Sequence, residues 1–197
     1  MKNSGITIRD FSMSDADAVS AMIGRTLRIS NSRDYPAEEI ARLVGVYSAG
    51  NIISRAENML LKVAAVDGAI SGCGGISFRE ESGEGLVSAL FVDPEYQGRG
   101  IGRSIMEALE AEALLRGCRK IVLDASITAL RFYLRLGYAE EVSGEEENCT
   151  EKSGKSPEKC AEKSGKSSEK CAEKSGKSSE TPETKHGNGL YRLVKFL

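Results

Sequence analysis

The chain has 197 residues, enough for one domain with a sizeable core, and we predict a single domain over residues 1–197. Its 27 lysines and arginines against 29 aspartates and glutamates leave a net charge of −2. This balance excludes the basic excess typical of nucleic-acid-binding proteins and gives no polybasic cluster for an anionic membrane. No apolar run resembles a secretion signal or a membrane span, so we expect a cytoplasmic protein without membrane partners.

Histidine and cysteine usage narrows the chemistry further. The only histidine is His186, in a polar segment, which argues against a Ser-His-Asp triad, a Cys-His dyad or a histidine-rich zinc site. The five cysteines are an odd number in a chain without a secretion signal, so we expect no disulfide framework. Cys73 and Cys118 lie in apolar segments and are predicted to be core residues. No metal site is predicted.

The N-terminal half predicts a strand, a group of helices and a hairpin. Ile6–Arg9 alternates like a strand, and helical periodicity follows over Ala18–Leu27, from Ala37 to Tyr47, and over Ile52–Asn58. Asp67-Gly68 then joins two predicted hairpin strands, Met59–Val66 and Ile70–Phe78. The second of these carries Gly72, Gly74 and Gly75, which indicate a bulge or a close backbone approach.

The middle of the chain combines a strand, a glycine-rich turn and a helix. Leu86–Val92 is apolar and ends at Asp93-Pro94, glycines alternate at positions 98, 100 and 102, and helical periodicity continues to Gly117. Unpartnered amides at a helix N-terminus attract anions, and glycines allow close approach, so the segment is typical of a phosphate cradle. A tight turn that binds nothing is the alternative. The segment lacks the lysine of a P-loop, and its third glycine comes too early for a dinucleotide fingerprint.

The C-terminal part contains a repeat between predicted strands. Lys120–Ala125 predicts a strand, Thr128–Leu136 a helix and Tyr138–Val142 another strand. Residues 143–188 then hold an eleven-residue repeat in three copies, each with one cysteine, which we predict to be a disordered insertion. A metal or redox role for these cysteines is the alternative. The alternating segment Leu190–Leu197 predicts a final strand that pairs with Tyr138–Val142.

Two motifs resemble the GNAT superfamily of N-acetyltransferases. The first is Gln97-x-x-Gly100-x-Gly102, and the second is Ala129-Leu-Arg-Phe-Tyr-Leu-Arg-Leu-Gly-Tyr138. The resemblance implies the superfamily's α/β fold, a mixed sheet of about seven strands with flanking helices, here with the low-complexity insertion before the last strand. It also implies acetyl-CoA as co-substrate, and a monomer or homodimer. The acceptor would be a primary amine, of a small molecule or of a protein or peptide N-terminus, that attacks directly.

The resemblance also assigns roles to individual residues. Backbone groups of Leu90, Phe91 and Val92 would pair with the pantetheine arm, and Tyr133 would protonate the departing thiolate. Ser126 stands where the family usually has asparagine and would bond the cofactor arm. The alternative for Tyr133 is a core aromatic. The pyrophosphate would be held by the amides of the glycine-rich turn and the helix start: Gln97, Gly98, Arg99, Gly100, Ile101, Gly102, Arg103 and Ser104.

The base that deprotonates the acceptor amine is open at this stage. Glu84, at the start of the long strand, is the nearest candidate, and Glu80, Glu81, Asp124 or a water relay are alternatives. A second function also stays open: a noncatalytic acyl-CoA-binding or sensor module in which the repeat docks a partner.

Overall fold

A computed structural model describes residues 5–141 and 190–197, and the repeat with its predictions lies outside these residues. The described residues form a seven-stranded sheet with flanking helices. The strands are β1 (Ile6–Asp10), β2 (Leu60–Val66), β3 (Ala69–Arg79), β4 (Glu84–Val92), β5 (Lys120–Ala125), β6 (Ala139–Glu140) and β7 (Tyr191–Phe196). The helices are α1 (Ala16–Thr26), α2 (Ala37–Val46), α3 (Ala49–Ala56), α4 (Ile101–Leu115) and α5 (Ile127–Arg135). None of these helices has the length and hydropathy needed to cross a membrane.

The sheet has the order β1-β2-β3-β4-β5-β7-β6 and is mixed. Neighbouring strands are antiparallel except for the central pair, β4 and β5. These two are parallel because α4 connects the end of β4 to the start of β5. This arrangement confirms the predicted fold class. The predicted pairing of the last strand is also confirmed, although β6 is short and covers only Ala139–Glu140.

Helices cover both faces of the sheet and enclose two apolar clusters. On one face, α4 and α5 pack on side chains such as Ala64, Ile76 and Val87. On the other face, α1, α2 and α3 pack on Leu61, Val63 and Cys73. Adjacent positions such as 63 and 64 fall into different clusters because successive strand residues point to opposite faces. The two clusters make a three-layer domain whose central strands are buried on both sides.

The glycines of β3 allow α4 to lie close to the sheet. A Cβ on Gly74 would come within 2.7 Å of the Ile105 side chain, and one on Gly72 within 3.0 Å of Ile101 and Ile105. A 2.7 Å contact is shorter than real side chains make and a 3.0 Å contact is tighter than most, so a larger residue at either position would require Ile101 or Ile105 to shift. The close backbone approach predicted from these glycines is confirmed, and it brings the start of α4 next to the end of β4.

A π-helical turn over Leu27–Asn31 follows α1 directly, and no sequence pattern predicts it. Leu27 is buried in the apolar cluster beneath α1, α2 and α3. The turn redirects the chain and carries Ser30 and Asn31 towards the end of β4, where both line a cavity. Single π-turns are often found at functional sites because they re-aim side chains.

Candidate active site

A gap opens in the sheet where β4 and β5 separate. The two strands pair only over Glu84–Val87 and Lys120–Leu123, while the rest of β4 pairs on its other side with β3. The register between β3 and β4 shifts between Cys73 and Gly75, which makes a bulge on β4. Ala89 in this bulge has a φ of 56°, an uncommon conformation for a residue with a side chain. Bulges bend strands, so this one explains why β4 leaves β5.

Two cavities meet at the gap. The first, which we call the loop-side cavity, has a volume of about 430 Å³ and lies against the glycine-rich turn and α5. The second, the helix-side cavity, has a volume of about 900 Å³ and lies against the π-turn, α2 and the middle of β4. Six residues line both cavities: Asn31, Leu90, Phe91, Ser126, Ala129 and Tyr133. A ligand in one cavity can therefore meet a ligand in the other beside these residues.

The glycine-rich turn exposes the N-terminus of α4 to the loop-side cavity. Gly98 and Gly100 have φ values of 77° and 85°, and a Cβ on either would meet no atom within 4 Å. Gly100 is the N-cap and supplies no side chain, so the first amides of α4 have no capping partner. No acidic residue stands in the first turn of the helix. The turn therefore fits the anion cradle that the sequence predicts.

The other predicted cradle residues divide into two groups. Arg103 lines the loop-side cavity, whereas Arg99 stacks over the Tyr96 ring with its guanidinium carbon 5.1 Å from the ring centroid. Ile101 lines the cavity but has a side chain that is buried in the core. Arg99 and Ser104 are not among the described residues that line the loop-side cavity.

The end of β4 is held by side chains from α1 and the turn. The Val92 carbonyl accepts hydrogen bonds from Thr26 Oγ1 at 3.3 Å and from Gln97 Nε2 at 3.0 Å. Gln97 Nε2 also donates to Ser30 Oγ at 3.0 Å. Of the three residues predicted to pair with a pantetheine arm, Val92 thus has its carbonyl already occupied. Leu90 and Phe91 line both cavities.

Asp93 fixes the first residue after β4. Its side chain is fully buried, forms an ion pair with Arg25 of α1 and accepts a hydrogen bond from the Glu95 amide at 3.0 Å. Its own amide donates to the Ser71 carbonyl at 2.9 Å. The start of the glycine-rich turn is therefore tied both to the helix wall and to the sheet. Arg25 and Thr26 were not predicted to contribute to the site, because their contacts are distant in sequence.

Tyr133 lies at the junction of the two cavities. It is 6% exposed, and its ring makes edge contacts with Phe132 and Tyr138 at centroid distances of 5.1 and 5.8 Å. Its hydroxyl makes no hydrogen bond within the described part of the chain. Burial raises the pKa of this phenol, and the neighbouring Tyr47 raises it further. Tyr133 is therefore a neutral phenol at physiological pH, with a free O–H beside both cavities.

The start of α5 and its Phe132 position Tyr133. Ser126 is the N-cap of the helix, and its Oγ accepts a hydrogen bond from the Ala129 amide at 3.3 Å. The Phe132 ring packs on Gly102, where a Cβ would lie 3.1 Å from the ring. The two motifs found in the sequence thus contact each other directly. Ser126 lines both cavities, so its predicted contact with a cofactor arm is geometrically open.

Glu84 is not brought together with Tyr133. It pairs with Lys120 at 2.8 Å and with Arg79 at 3.7 Å, and the hydrogen bond from Lys120 lowers the pKa of its carboxyl. It starts β4, whereas Leu90 lies roughly 20 Å further along an extended strand. Glu84 lines neither cavity, and among the acids weighed as a base only Asp124 lines one. Asp124 is itself paired with Arg192 at 3.1 Å.

The helix-side cavity contains residues that the sequence did not single out as functional. Tyr35, Glu39, Arg42 and Tyr47 line it from α2 and its flanks. The periodicity of α2 predicts that Tyr47 faces the core, whereas in the structure it lines the helix-side cavity. Within the described residues, no cluster of three or more histidine, cysteine or acidic side chains could hold a metal ion.

Comparisons with known proteins identify the family of the chain. The model of the acetyltransferase (GNAT) family matches residues 26–138. An IAA acetyltransferase of Azospirillum brasilense is 35% identical over 81 residues, which are 40% of this chain and 53% of that protein. An aminoglycoside N(6')-acetyltransferase type 1 of Stenotrophomonas maltophilia is 27% identical over 128 residues, 61% of this chain and 76% of that protein.

A solved structure shares the fold. The PaiA N-acetyltransferase of Thermoplasma acidophilum, in complex with coenzyme A, superposes with a TM-score of 0.69 at 15% identity over 98% of this chain and 99% of that one. The chain spans about half the length, 53%, of the Azospirillum relative. The family match covers more than half of the sequence and includes the glycine-rich turn and Tyr133. The chain belongs to the GNAT family of acetyltransferases.

Proposed function

We propose that the protein transfers an acetyl group from acetyl-CoA to a primary amine by direct attack. The observation that carries this proposal is the free hydroxyl of Tyr133, a buried neutral phenol that borders both the loop-side and the helix-side cavity. Acetyl-CoA would occupy the loop-side cavity, because the uncapped N-terminus of α4 suits its pyrophosphate. The acceptor amine would then occupy the helix-side cavity.

The reaction needs few groups from the protein. The amine nitrogen attacks the thioester carbonyl, the C–N bond forms, and the C–S bond breaks with its electron pair leaving on sulfur. Tyr133 gives its proton to the thiolate, and the proton lost by the amine nitrogen restores the phenol through water. Placing the two reactants side by side in the gap supplies much of the acceleration. The raised pKa suits Tyr133 as a proton donor and not as a base.

The acetyl-CoA subsite combines several predicted residues. The amides at Gly98, Gly100 and Gly102 would hold the pyrophosphate, with Arg103 adding positive charge. Leu90 and Phe91 would offer backbone groups to the pantetheine arm on the edge of β4 that has no β5 partner. Glu84 is too far along β4 to serve as the base, so deprotonation through water is the route that we propose.

The test is thiol release from acetyl-CoA, followed with a thiol-reactive chromophore across a panel of primary amines and peptides. We expect turnover with at least one acceptor and product masses increased by one acetyl group. Tight CoA binding measured by calorimetry, together with no thiol release for any acceptor, would contradict the proposal and favour the noncatalytic acyl-CoA-binding module.

A further inference from the structure

We propose that the helix-side cavity selects monoamines with an apolar body, and that Tyr47 positions their nitrogen. This inference rests on the proposed function, because it concerns the acceptor of the same reaction. It goes beyond that function in naming the chemical class of the acceptor and a residue that decides specificity.

The helix-side cavity has a continuous set of apolar side chains in its wall, beside polar ones such as Tyr35, Glu39 and Ser88. Leu27 and Leu43 come from the helix wall, Leu86 and Val87 from β4, and Phe91 from the strand beyond the bulge. The cavity volume of about 900 Å³ is far larger than an amino group requires. The remaining space therefore suits a hydrocarbon or aromatic body, whose burial contributes about 25 cal/mol for each Å² removed from water.

The described acidic groups that line this cavity are already neutralised. Glu39 accepts two hydrogen bonds from Arg42, at 2.6 and 2.8 Å. Asp124 accepts a hydrogen bond from Arg192 at 3.1 Å. A second ammonium group on the acceptor would find both of these carboxylates already paired with an arginine. The cavity therefore disfavours diamines and other polycationic acceptors.

Tyr47 presents a second uncommitted phenol beside Tyr133. Its ring packs against Phe91 at a centroid distance of 5.0 Å, and Arg55 stacks on it at 5.1 Å. Its carbonyl accepts a hydrogen bond from Ser20 Oγ at 2.8 Å, which fixes the end of α2. Its hydroxyl makes no hydrogen bond within the described residues. Tyr35 differs, because its hydroxyl accepts a hydrogen bond from the Ile127 amide.

The Tyr47 oxygen suits contact with an amine. Burial raises the pKa of this phenol, so it stays neutral and keeps a lone pair that can accept an N–H bond. The ring is held on two sides, which leaves little freedom to lose on binding. Tyr47 would therefore orient the acceptor nitrogen next to the thioester, without taking part in proton transfer.

The first experiment compares hexylamine with 1,6-diaminohexane, two acceptors of similar length that differ in one terminal ammonium. We expect kcat/KM for hexylamine to be at least about tenfold higher, because the second ammonium would find no unpaired carboxylate while the apolar chain of hexylamine would gain contact with the wall. An equal or higher kcat/KM for the diamine would overturn the inference. A tripeptide with N-terminal phenylalanine in the same panel distinguishes a peptide acceptor from a small amine. A higher kcat/KM for the tripeptide or for hexylamine than for the diamine supports an acceptor with one amine and an apolar body.

A binding measurement separates this inference from the proposed function. Both amines are titrated into the CoA-loaded protein by calorimetry, which needs no turnover. Tighter binding of hexylamine supports the acceptor class even if no thiol is released. Equal or tighter binding of the diamine contradicts it.

Two variants test the residues named. Tyr47→Phe removes one hydroxyl and should lower kcat/KM for hexylamine about fivefold, with the KM for acetyl-CoA unchanged. An unchanged kcat/KM for hexylamine would overturn the role of Tyr47.

Arg42→Ala frees Glu39 at the cavity and should raise kcat/KM for the diamine several-fold. Arg79→Ala is its control for the loss of an exposed arginine, because Arg79 lies away from both cavities and forms only a 3.7 Å pair with Glu84, which keeps Lys120 as a partner. An equal response of the two arginine variants would contradict the charge argument.

Discussion

The two cavities that meet at Tyr133 are built in different ways. The loop-side cavity presents backbone: uncapped amides of α4, glycines with positive φ and the free edge of β4. The helix-side cavity presents side chains from α2, the π-turn and β4. Backbone recognises a feature that every acyl-CoA shares, while side chains can change without disturbing it. The contrast explains how one fold keeps its donor and varies its acceptor.

The largest effect is expected when only the backbone amides of the loop-side cavity are blocked. Gly100→Val places a β-branched residue at a φ of 85° and puts its side chain in front of the α4 amides. We expect the affinity for CoA, measured by calorimetry, to fall about a hundredfold. Gly117→Val is the matched control, with a φ of 74° at the other end of α4. If both variants lost CoA binding equally, strain and not access to the amides would be the cause.

Arg25→Met tests the connection between the helix wall and the turn. It leaves the buried Asp93 carboxylate without its ion pair, and because Arg25 itself is half exposed we expect a loss of about 1–2 kcal/mol in the free energy of unfolding. The melting temperature should fall by about 2–8 °C. The KM for acetyl-CoA should rise several-fold with the KM for the amine unchanged. A rise in the KM for the amine alone would show that Arg25 supports the helix-side cavity, which contradicts this prediction.

Leu43→Ala should change the helix-side cavity without affecting the donor. Removing part of an apolar wall should lower kcat/KM for an apolar amine about threefold, while CoA affinity stays the same. Leu114→Ala, at an exposed position of α4, is the control for the loss of a leucine. A drop in CoA affinity for Leu43→Ala would show that the two cavities do not act independently.

The smallest effect that we expect concerns pH: kcat should not fall on the alkaline side of its pH profile. An ordinary tyrosine loses its proton near pH 10, and the raised pKa of Tyr133 moves that loss upward. The acid therefore stays protonated across the range in which the acceptor amine becomes neutral. The kcat profile should rise towards pH 9.5 without a descending limb. A decline that begins below pH 9 in wild type and is absent in Tyr133→Phe would contradict this assignment.

The sequence predicts the loop-side cavity well because its geometry is local. The alternating glycines, the strand end at Asp93-Pro94 and the periodicity of α4 all lie within one continuous stretch. Positive φ values at Gly98 and Gly100 are properties of those residues themselves. The Tyr133 motif is equally local, although its contact with Gly102 through Phe132 becomes visible only in three dimensions.

The helix-side cavity could not be predicted in the same way. The periodicity of α2 places Tyr47 inward, but whether inward means a core or a cavity depends on the separation of β4 from β5. That separation follows from the bulge at Ala89, and no pattern of residues in the sequence predicts this bulge. Glu84 illustrates the same limit, because pairing with Lys120 fixes it at the closed end of the two strands.

The central claim is that Tyr133 lies where two differently built cavities meet and donates the proton to the leaving thiolate. The most direct test is Tyr133→Phe, with kcat and the CoA dissociation constant measured on the same preparation. We predict that kcat falls about a hundredfold or more while the dissociation constant changes less than about twofold. Unchanged turnover, or loss of CoA binding in step with turnover, would contradict the account.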